Sequence, residues 1–334
     1  MRILINALAT LMNPFAYVGD DALPTERLST LGTFGANPGL LRALTYIPQD
    51  LPAGAPLVIV LHGCKQTAER YDDGSGWSDL ADRHGFALLF PEQRRVNNWL
   101  LGFNWFRPRD NTRGSGESLS IMNMVEQVVR DHGIDRQRIF ITGLSAGGAM
   151  TSVMLATYPE LFAGGAIIAG LPYGCADTTR AAFRSMKGRR GGRTAGQLAT
   201  SLRRASGHEG PWPTISIWHG GIDGTVHPSN ASAILKQWLK LHKLSPVPAR
   251  AHIVDGYPRR VWKDADGQEV LEEFRITGMG HGTPLKTGGP NGCGSSGDYM
   301  LDVNISSTRH IASFWGLMQA DAANRSKTRA SLSC

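Results

Sequence analysis

The sequence predicts an α/β fold in which a mostly parallel sheet is doubly wound, with helices on both faces. Short apolar runs that suit strands alternate with longer amphipathic stretches that suit helices along most of the 334 residues. Several central runs, such as Leu57–Leu61, are continuously apolar, which is typical of strands buried on both faces of a parallel sheet. The apolar content of 41% and the charged content of 19% fit a globular chain with a sizeable core.

The expected elements follow one another with short connections. Strands are expected, in chain order, at Leu41–Ile47, Leu57–His62, Ala87–Pro91, Arg138–Thr142, Gly165–Ala169, Thr214–Trp218, Arg250–Asp255 and Val270–Ile276. Helices are expected at Trp77–His84, Glu117–Asp131, Ala149–Tyr158, Asn230–His242 and Ser307–Met318. Asp266-Gly267 has the composition of a hairpin turn, so one late strand pair is expected to be antiparallel.

The chain is expected to divide into a leader over 1–39, a main domain over 40–320 and a polar tail over 321–334. An insertion over 176–213 interrupts the alternation, and in this architecture such an insertion overhangs the edge of the active site. It carries most of the net charge of +7, through Arg180, Arg184, Lys187, Arg189, Arg190, Arg193, Arg203 and Arg204. No nucleic-acid module or interleaved aromatic pattern accompanies these charges. We therefore expect a basic, lid-like or solvated insertion and no nucleic-acid partner.

Other classes of protein are disfavoured by composition. No apolar run approaches the ~18 residues that a membrane-spanning helix needs, so no integral membrane association is expected. The four cysteines, Cys64, Cys175, Cys293 and Cys334, are too few for a disulfide scaffold and form no C-x-x-C. Pairing of Cys175 with Cys293 and burial of both as thiols are both open. The first residues resemble a signal peptide only faintly, and an amphipathic helix is the favoured interpretation.

The segment Gly143-Leu144-Ser145-Ala146-Gly147 is a G-x-S-x-G motif. It directly follows a β-branched and aromatic run and precedes a small-residue helical pattern, which is the context of a nucleophile elbow. The two glycines remove side chains that would collide with the neighbouring strand and helix. Serine is a poor nucleophile at neutral pH, so Ser145 needs a histidine base that is held by an acid.

His281 is the expected base, because flanking glycines allow its loop to carry an imidazole over the ends of the strands. Asp223 is the expected acid, since it lies in a glycine-rich turn after Thr214–Trp218 and before the histidine. Asp255 is its main competitor because it also ends a predicted strand. A turn aspartate that caps its own backbone is the alternative for Asp223. His219, just before the acid loop, is a candidate to orient it.

The backbone N–H groups of Cys64 and Ala146 are the expected oxyanion donors, with Gly63 allowing the tight turn before Cys64. Trp105, Tyr173 and Trp218, together with His62, are candidates to bind substrate in an apolar groove. Core packing is an equal alternative for each ring. This chemistry needs no metal and no organic cofactor.

These residues lie in segments that resemble the polyhydroxybutyrate depolymerase-like esterases, a family that includes feruloyl-esterase-like relatives. The matching segments, between about Thr33 and Leu317, are Leu61-His62-Gly63-Cys64, Phe103-Asn104-Trp105-Phe106, Arg113-Gly114-Ser115-Gly116-Glu117, Gly143 to Met150, Gly170-Leu171-Pro172-Tyr173-Gly174-Cys175 and Gly278-Met279-Gly280-His281-Gly282. The resemblance implies an α/β-hydrolase fold and a serine esterase with Ser145, Asp223 and His281 as its triad. It also implies short-chain hydroxyalkanoate esters, their oligomers or other small acyl esters as substrates.

One departure from the family pattern concerns Gly102. A cysteine is common there in relatives, and if it pairs with the cysteine of the oxyanion loop, Cys64 lacks that partner in this chain. Oligomers and soluble esters are expected as substrates in preference to solid polymer, because no polymer-binding domain follows. The family leans towards extracellular proteins, which leaves extracellular, periplasmic and cytoplasmic locations open. A feruloyl or acetyl-xylan-type carboxylesterase, an acyltransferase and a non-enzymatic cationic binding protein are the alternatives.

Overall fold

A ten-stranded sheet forms the centre of the computed structural model, which describes residues 27–189 and 193–318. The strands of this sheet are β1 (Ser29–Thr30), β2 (Arg42–Tyr46), β3 (Leu57–Leu61), β4 (Ala87–Glu92), β5 (Ile139–Leu144), β6 (Gly164–Ile168), β7 (Thr214–Gly220), β8 (Arg250–Val254), β9 (Tyr257–Lys263) and β10 (Glu269–Ile276). Their order across the sheet is β1-β2-β4-β3-β5-β6-β7-β10-β9-β8. A two-stranded sheet joins β11 (Thr283–Leu285) to β12 (Met300–Asp302).

The central strands, from β4 through β3, β5, β6 and β7 to β10, are all parallel to their neighbours. Both edges are antiparallel, with β1 and β2 at one side and β8 and β9 at the other. The predicted hairpin is confirmed, since the turn at Asp266-Gly267 joins β9 to β10. The mostly parallel sheet and its helices confirm the predicted fold class.

Helices cover both faces of the sheet. They are α1 (Ala68–Ser75), α2 (Trp77–His84), α3 (Gly116–His132), α4 (Ala146–Thr157), α5 (Thr179–Met186), α6 (Ala195–Ser206), α7 (Ser229–Leu241) and α8 (Ser307–Phe314). One core cluster joins the sheet to α3, α4, α6 and α7, and a second joins it to α1, α2 and α8. Strand β3 supplies both, with Leu57, Ile59 and Leu61 on one face and Val58 and Val60 on the other. No helix within residues 27–189 and 193–318 is long and apolar enough to cross a bilayer.

The insertion differs from the expected solvated loop, because it contains α5 and α6. Thr194 and Gln197 form a reciprocal capping box that starts α6, and Leu198 and Leu202 from this helix are buried in the core. The apolar face of α6 packs on α7 and α4, so the insertion forms part of the domain and only its polar faces are solvated. Arg190 lies outside the described residues.

The last residues of the expected leader pack against the main domain. Strand β1 pairs with β2, and Arg27 binds Asp79 and Asp82 of α2, so the end of the leader packs on the domain. Residues 1–26 and the expected tail over 321–334, with Cys334, lie outside the described residues. Cys175 and Cys293 belong to the core clusters on opposite faces of the sheet and form no disulfide. The open pairing of these two thiols is therefore excluded.

Candidate active site

Ser145 lies in the sharp turn between β5 and α4. Its backbone angles are φ 57° and ψ −113°, a combination that non-glycine residues rarely adopt. Its N–H donates to the carbonyl of Ile168 at 2.9 Å, and its own carbonyl accepts from the Ala149 N–H at 2.8 Å. A Cβ on Gly147 would collide with the carbonyl oxygen of Leu61, which explains why the motif needs glycine there. The turn therefore holds the serine hydroxyl in a fixed, strained position at the carboxyl edge of the sheet.

The structure brings His281 and Asp223 to this hydroxyl in one hydrogen-bonded cluster, the Ser145–His281–Asp223 cluster. His281 Nε2 lies 2.9 Å from Ser145 Oγ, and His281 Nδ1 lies 2.7 Å from Asp223 Oδ2. Because an ionised carboxylate only accepts, Nδ1 must carry the proton and Nε2 is left as an acceptor for the serine O–H. This is the tautomer that removal of a proton from serine requires.

Asp223 is only 3% exposed, yet its environment favours the ionised form. Burial alone would raise the pKa of Asp223, but hydrogen bonds from His219 and His281 outweigh it and hold the pKa well below its usual range. The second oxygen, Oδ1, accepts from the N–H groups of Thr225 and Val226, both at 2.8 Å. The capping of its own turn and the contact with His281 thus occur together, on different oxygens.

The alternative acid lies elsewhere. Asp255 Oδ2 is 2.9 Å from His310 Nε2, in a partly exposed surface pair. His219, the candidate for orienting the acid loop, has Nε2 2.8 Å from the carbonyl of Val226 and 3.4 Å from Asp223 Oδ2. It is therefore in contact with both ends of the turn that carries Asp223.

The two expected oxyanion donors lie in turns that leave their N–H groups available. Ala146 is the first residue of α4, and the first N–H groups of a helix have no intrahelical acceptor. On either side of Cys64, the Gly63 N–H donates to Gln66 Oε1 and the Lys65 N–H donates to the Leu100 carbonyl. No backbone carbonyl among the described residues accepts from the Cys64 N–H. A Cβ on Gly102 would lie 2.5 Å from Cys64 Sγ and 3.5 Å from Ala146 Cβ. Gly102 therefore lies close to both residues that carry the expected donors.

Two of the expected substrate contacts are wrong. His62 is 1% exposed, with Nδ1 2.8 Å from the Gly63 carbonyl and Nε2 accepting from the Gln93 N–H at 3.1 Å, so neither nitrogen can reach a substrate. Burial lowers the pKa of His62 to about 4, which keeps it neutral. Trp218 is fully buried and stacks on Phe274, 3.8 Å between ring centroids, because its side chain leaves the sheet on the face of α8.

The other two expected contacts are less buried. Trp105 is 8% exposed and packs edge-on against Phe106, so most of its surface belongs to the core. Tyr173 is half-buried, with its hydroxyl 3.4 Å from the Asn111 carbonyl. Tyr299 was missed by sequence reasoning, although its ring lies edge-on to His281 at 6.0 Å and its backbone has a positive φ of 63°. Its only signal is an aromatic residue at the end of a glycine-rich stretch.

The insertion contacts the turn that carries Asp223. Lys187, just after α5, donates from Nζ to the carbonyl of Gly224 at 2.7 Å. The N–H of His227 donates to the carbonyl of Met186 at 2.7 Å, and the Asn230 amide donates to the Ser185 carbonyl at 3.0 Å. The end of α5 is thus hydrogen-bonded to the segment 224–230, which directly follows Asp223, and supports the acid turn instead of forming a detached lid.

Comparison with known proteins gives one consistent result. The family model described as esterase PHB depolymerase matches residues 41–251. A poly(3-hydroxyalkanoate) depolymerase C from Paucimonas lemoignei is 46% identical over 87% of this chain and 70% of its own length. An acetylxylan esterase from Coprinopsis cinerea is 33% identical over 78% of this chain and 71% of its own length.

Solved structures agree with the sequence matches. An acetyl xylan esterase from Aspergillus awamori superimposes with a TM-score of 0.72 at 26% identity, covering 87% of this chain and 99% of that one. A poly(3-hydroxybutyrate) depolymerase from Bordetella parapertussis shares the fold, with a TM-score of 0.53 at 15% identity over 90% of this chain and 94% of its own. The fold is thus that of the α/β-hydrolase esterases. The match over residues 41–251 and the 46% identity establish that this chain belongs to the esterase PHB depolymerase family and is a carboxylic ester hydrolase.

Proposed function

We propose that this protein hydrolyses short-chain hydroxyalkanoate esters and their oligomers through an acyl-enzyme on Ser145, with His281 as base and Asp223 as its orienting acid. The observation that carries the proposal is the continuous contact from Asp223 through His281 to Ser145 Oγ, at 2.7 and 2.9 Å. A neutral imidazole accepting from a strained, immobilised serine hydroxyl is the arrangement that acyl transfer needs.

The reaction proceeds in two halves. Ser145 Oγ attacks the ester carbonyl carbon while its proton passes to His281 Nε2, and the carbonyl oxygen becomes an oxyanion held by the N–H groups of Cys64 and Ala146. The intermediate collapses with cleavage of the bond to the alcohol, which leaves with the proton from His281. Water then attacks the acyl-enzyme by the same route and releases the carboxylic acid. Asp223 stays ionised throughout and stabilises the imidazolium.

The substrate class rests on similarity and on the exposed surface near the cluster. The relative from Paucimonas lemoignei is a poly(3-hydroxyalkanoate) depolymerase. Ile222, next to Asp223, and Val96 and Trp99, in the turn before Gly102, are large apolar side chains with 61% to 74% of their surface exposed. An aliphatic polyester segment would cover such side chains, whereas a free sugar ester would leave them in water.

A second candidate is an esterase that removes acetyl groups from a polysaccharide. It is favoured by the superposition on the acetyl xylan esterase from Aspergillus awamori. The two candidates share the chemistry of the cluster and differ in the alcohol that leaves. The transfer of the acyl group to an added alcohol in place of water would be seen in the same assays as a second product.

The test compares the purified protein with Ser145→Ala on p-nitrophenyl butyrate, 3-hydroxybutyrate oligomers, acetylated xylan and methyl ferulate. We expect Ser145→Ala to lose at least about a thousandfold in kcat while its unfolding midpoint is retained. The oligomers should be cleaved with the highest kcat/KM. Full turnover by Ser145→Ala would refute the mechanism, and preference for acetylated xylan would replace the first candidate by the second.

A further inference from the structure

Glu117 is a buried carboxylate that is held entirely by neutral amides. It lies in the first turn of α3 and is 1% exposed. Its Oε1 accepts from Gln93 Nε2 and from Asn104 Nδ2, both at 2.6 Å, and its Oε2 accepts from the Asn104 backbone N–H at 2.8 Å. No lysine or arginine within the described ranges forms an ion pair with it. Both oxygens are thus committed to two residues.

Burial of a carboxylate without a cationic partner costs folding free energy. Burial raises the pKa of Glu117 to about 7, although the amide donors oppose this effect. The charged side chain that faces it is Asp110, also buried, whose repulsion adds to the rise. The first turn of α3 offsets part of the cost because the positive end of the helix dipole favours an anion. A carboxylate at such a position indicates that its three accepted hydrogen bonds serve a purpose beyond packing.

The first route from Glu117 leads through Gln93 to the residue before the oxyanion turn. The Gln93 backbone N–H donates to His62 Nε2 at 3.1 Å, which fixes the imidazole that precedes Gly63 and Cys64. The same Gln93 side-chain nitrogen also donates to the carbonyl of Gly102 at 3.2 Å. Gly102 is the residue that lies against Cys64 Sγ.

The second route leads through Asn104 to the residue after Cys64. Asn98 Nδ2 donates to Asn104 Oδ1 at 3.2 Å, and Asn98 Oδ1 accepts from the Leu100 N–H at 3.1 Å. The Leu100 carbonyl in turn accepts from the Lys65 N–H at 2.7 Å. Lys65 has a positive φ of 65°, so its backbone keeps this conformation only while its surroundings hold it.

From these two routes we infer that Glu117 is a positioning residue for the oxyanion turn, because its carboxylate supports the chain before and after Cys64, at His62 and at Lys65, and so aims the Cys64 N–H. The inference rests on the proposed function, in which that N–H binds the oxyanion. Where a cysteine at the place of Gly102 would tie this turn covalently, this chain holds it with hydrogen bonds that end on one carboxylate. Glu117 touches no substrate.

Glu117→Gln tests the inference with almost no change of shape. The Asn104 backbone N–H cannot reverse, so the new amide must present its oxygen there and its NH₂ group to two other NH₂ donors. Gln93 cannot compensate by turning its amide, because its Oε1 already accepts from the Arg94 N–H and from Asn97. We expect kcat to fall about tenfold to a hundredfold with KM changed less than twofold, because the Cys64 N–H binds the oxyanion, which exists only in the transition state and the intermediate.

Glu272→Gln is the matched control. Glu272 is also a fully buried glutamate whose pKa is raised by burial, but its partners are Ser216 and Arg259, and none of these contacts leads to the oxyanion turn. It should lower the unfolding midpoint while kcat per titrated active site stays at the wild-type value. If Glu117→Gln behaves in the same way, with lower stability and unchanged kcat, the inference is overturned.

Two further measurements keep the test decisive. Amide hydrogen exchange of residues 62–66 should become faster in Glu117→Gln and stay unchanged in Glu272→Gln, a result that requires no catalysis and so stands even if Ser145→Ala refutes the proposed function. Unchanged exchange of this segment would contradict the inference.

If Glu117→Gln fails to fold, Asn98→Ala replaces it, because the substitution of half-buried Asn98 interrupts only the second route. It should reduce kcat about threefold to tenfold, and a wild-type kcat would overturn the inference.

Discussion

Two buried carboxylates, Asp223 and Glu117, have opposite environments. Asp223 binds the imidazole that contacts Ser145, whereas hydrogen bonds link Glu117 to the turn that carries Cys64. Asp223 faces the imidazoles of His219 and His281, and its pKa is held well below the usual range. Glu117 accepts hydrogen bonds from the neutral amides of Gln93 and Asn104, and burial, with the repulsion of Asp110, raises its pKa to about 7. Both accept three or more hydrogen bonds.

The difference shows that the kind of donor decides how a buried carboxylate titrates. Backbone and side-chain amides orient a carboxylate but carry no charge to oppose its desolvation, whereas an imidazole can take up the proton and become a cation. Asp223 is therefore suited to stabilise a charge that appears during the reaction. Glu117 is suited to hold a loop, and it does so fully only while ionised.

The largest effect is expected for Asp223→Asn. The asparagine oxygen must stay with the N–H groups of Thr225 and Val226, so its NH₂ group faces His281 Nδ1 and forces the proton onto Nε2. An imidazole in that tautomer cannot accept the proton of Ser145. We expect kcat to fall by roughly 10³- to 10⁴-fold.

Steady-state kinetics on p-nitrophenyl butyrate, with the unfolding midpoint measured alongside, would check this expectation. The loss should exceed that of Glu117→Gln by at least about tenfold. A smaller loss for Asp223→Asn than for Glu117→Gln would reverse the assignment of the two carboxylates.

An intermediate effect is expected in the pH dependence of stability. As the pH falls from 7 to 4.5, folded protein takes up a proton on Glu117, whose ordinary pKa is 4.5, and this favours the folded state. Over the same window the unfolded chain takes up a proton on His62, whose ordinary pKa is 6.5, while the folded protein does not until about pH 4. The two effects have opposite signs, and each amounts to about 2.5 kcal/mol.

Glu117→Gln removes the first effect and leaves the second. Its free energy of unfolding should therefore fall about 2.5 kcal/mol further than that of the wild type between pH 7 and pH 4.5. Urea denaturation at several pH values measures the difference. His62→Asn should do the reverse and become relatively more stable in acid. Parallel stability curves for all three proteins would contradict the opposed environments.

The smallest effect is expected for Asp255→Asn. Asp255 also holds a histidine, His310, but this pair is on the surface, and both side chains are partly exposed. Exposed ion pairs contribute less than about 1 kcal/mol, and the contacts of this pair do not lead to Ser145. We expect kcat within twofold of the wild type and a stability change below about 1 kcal/mol. A large loss of kcat would reopen the choice between the two acids.

The parts of the fold and site that the sequence predicts are those encoded locally. The turn at Ser145 is specified by two glycines within five residues, and His281 and Asp223 each stand in a glycine-rich loop directly after a strand. The parallel core follows from continuously apolar strands such as β3. The helix α6 also had a local signal, the Thr194 and Gln197 capping pair, which the high content of glycine and arginine around it concealed.

The parts that escaped depend on pairing between distant segments. Trp218 pairs in register with Phe274, and its ring stacks there on the face of the sheet that α8 covers. The ring of buried His62 accepts a hydrogen bond from the Gln93 N–H, which lies 31 residues further along the chain. Tyr299 reaches His281 from the turn directly before β12. No periodicity records such contacts, because each is decided by how the sheet and its loops meet.

The strained backbone at Ser145 limits how the thermal stability of this protein can be raised by selection. Holding a residue with a side chain at φ 57° and ψ −113° takes of order 1–3 kcal/mol from the folded state, and glycine would relieve it. A laboratory selection for heat resistance alone would therefore favour Ser145→Gly, which lacks the hydroxyl group that the proposed mechanism uses. Each round of such a selection therefore has to measure thermal stability and ester hydrolysis together.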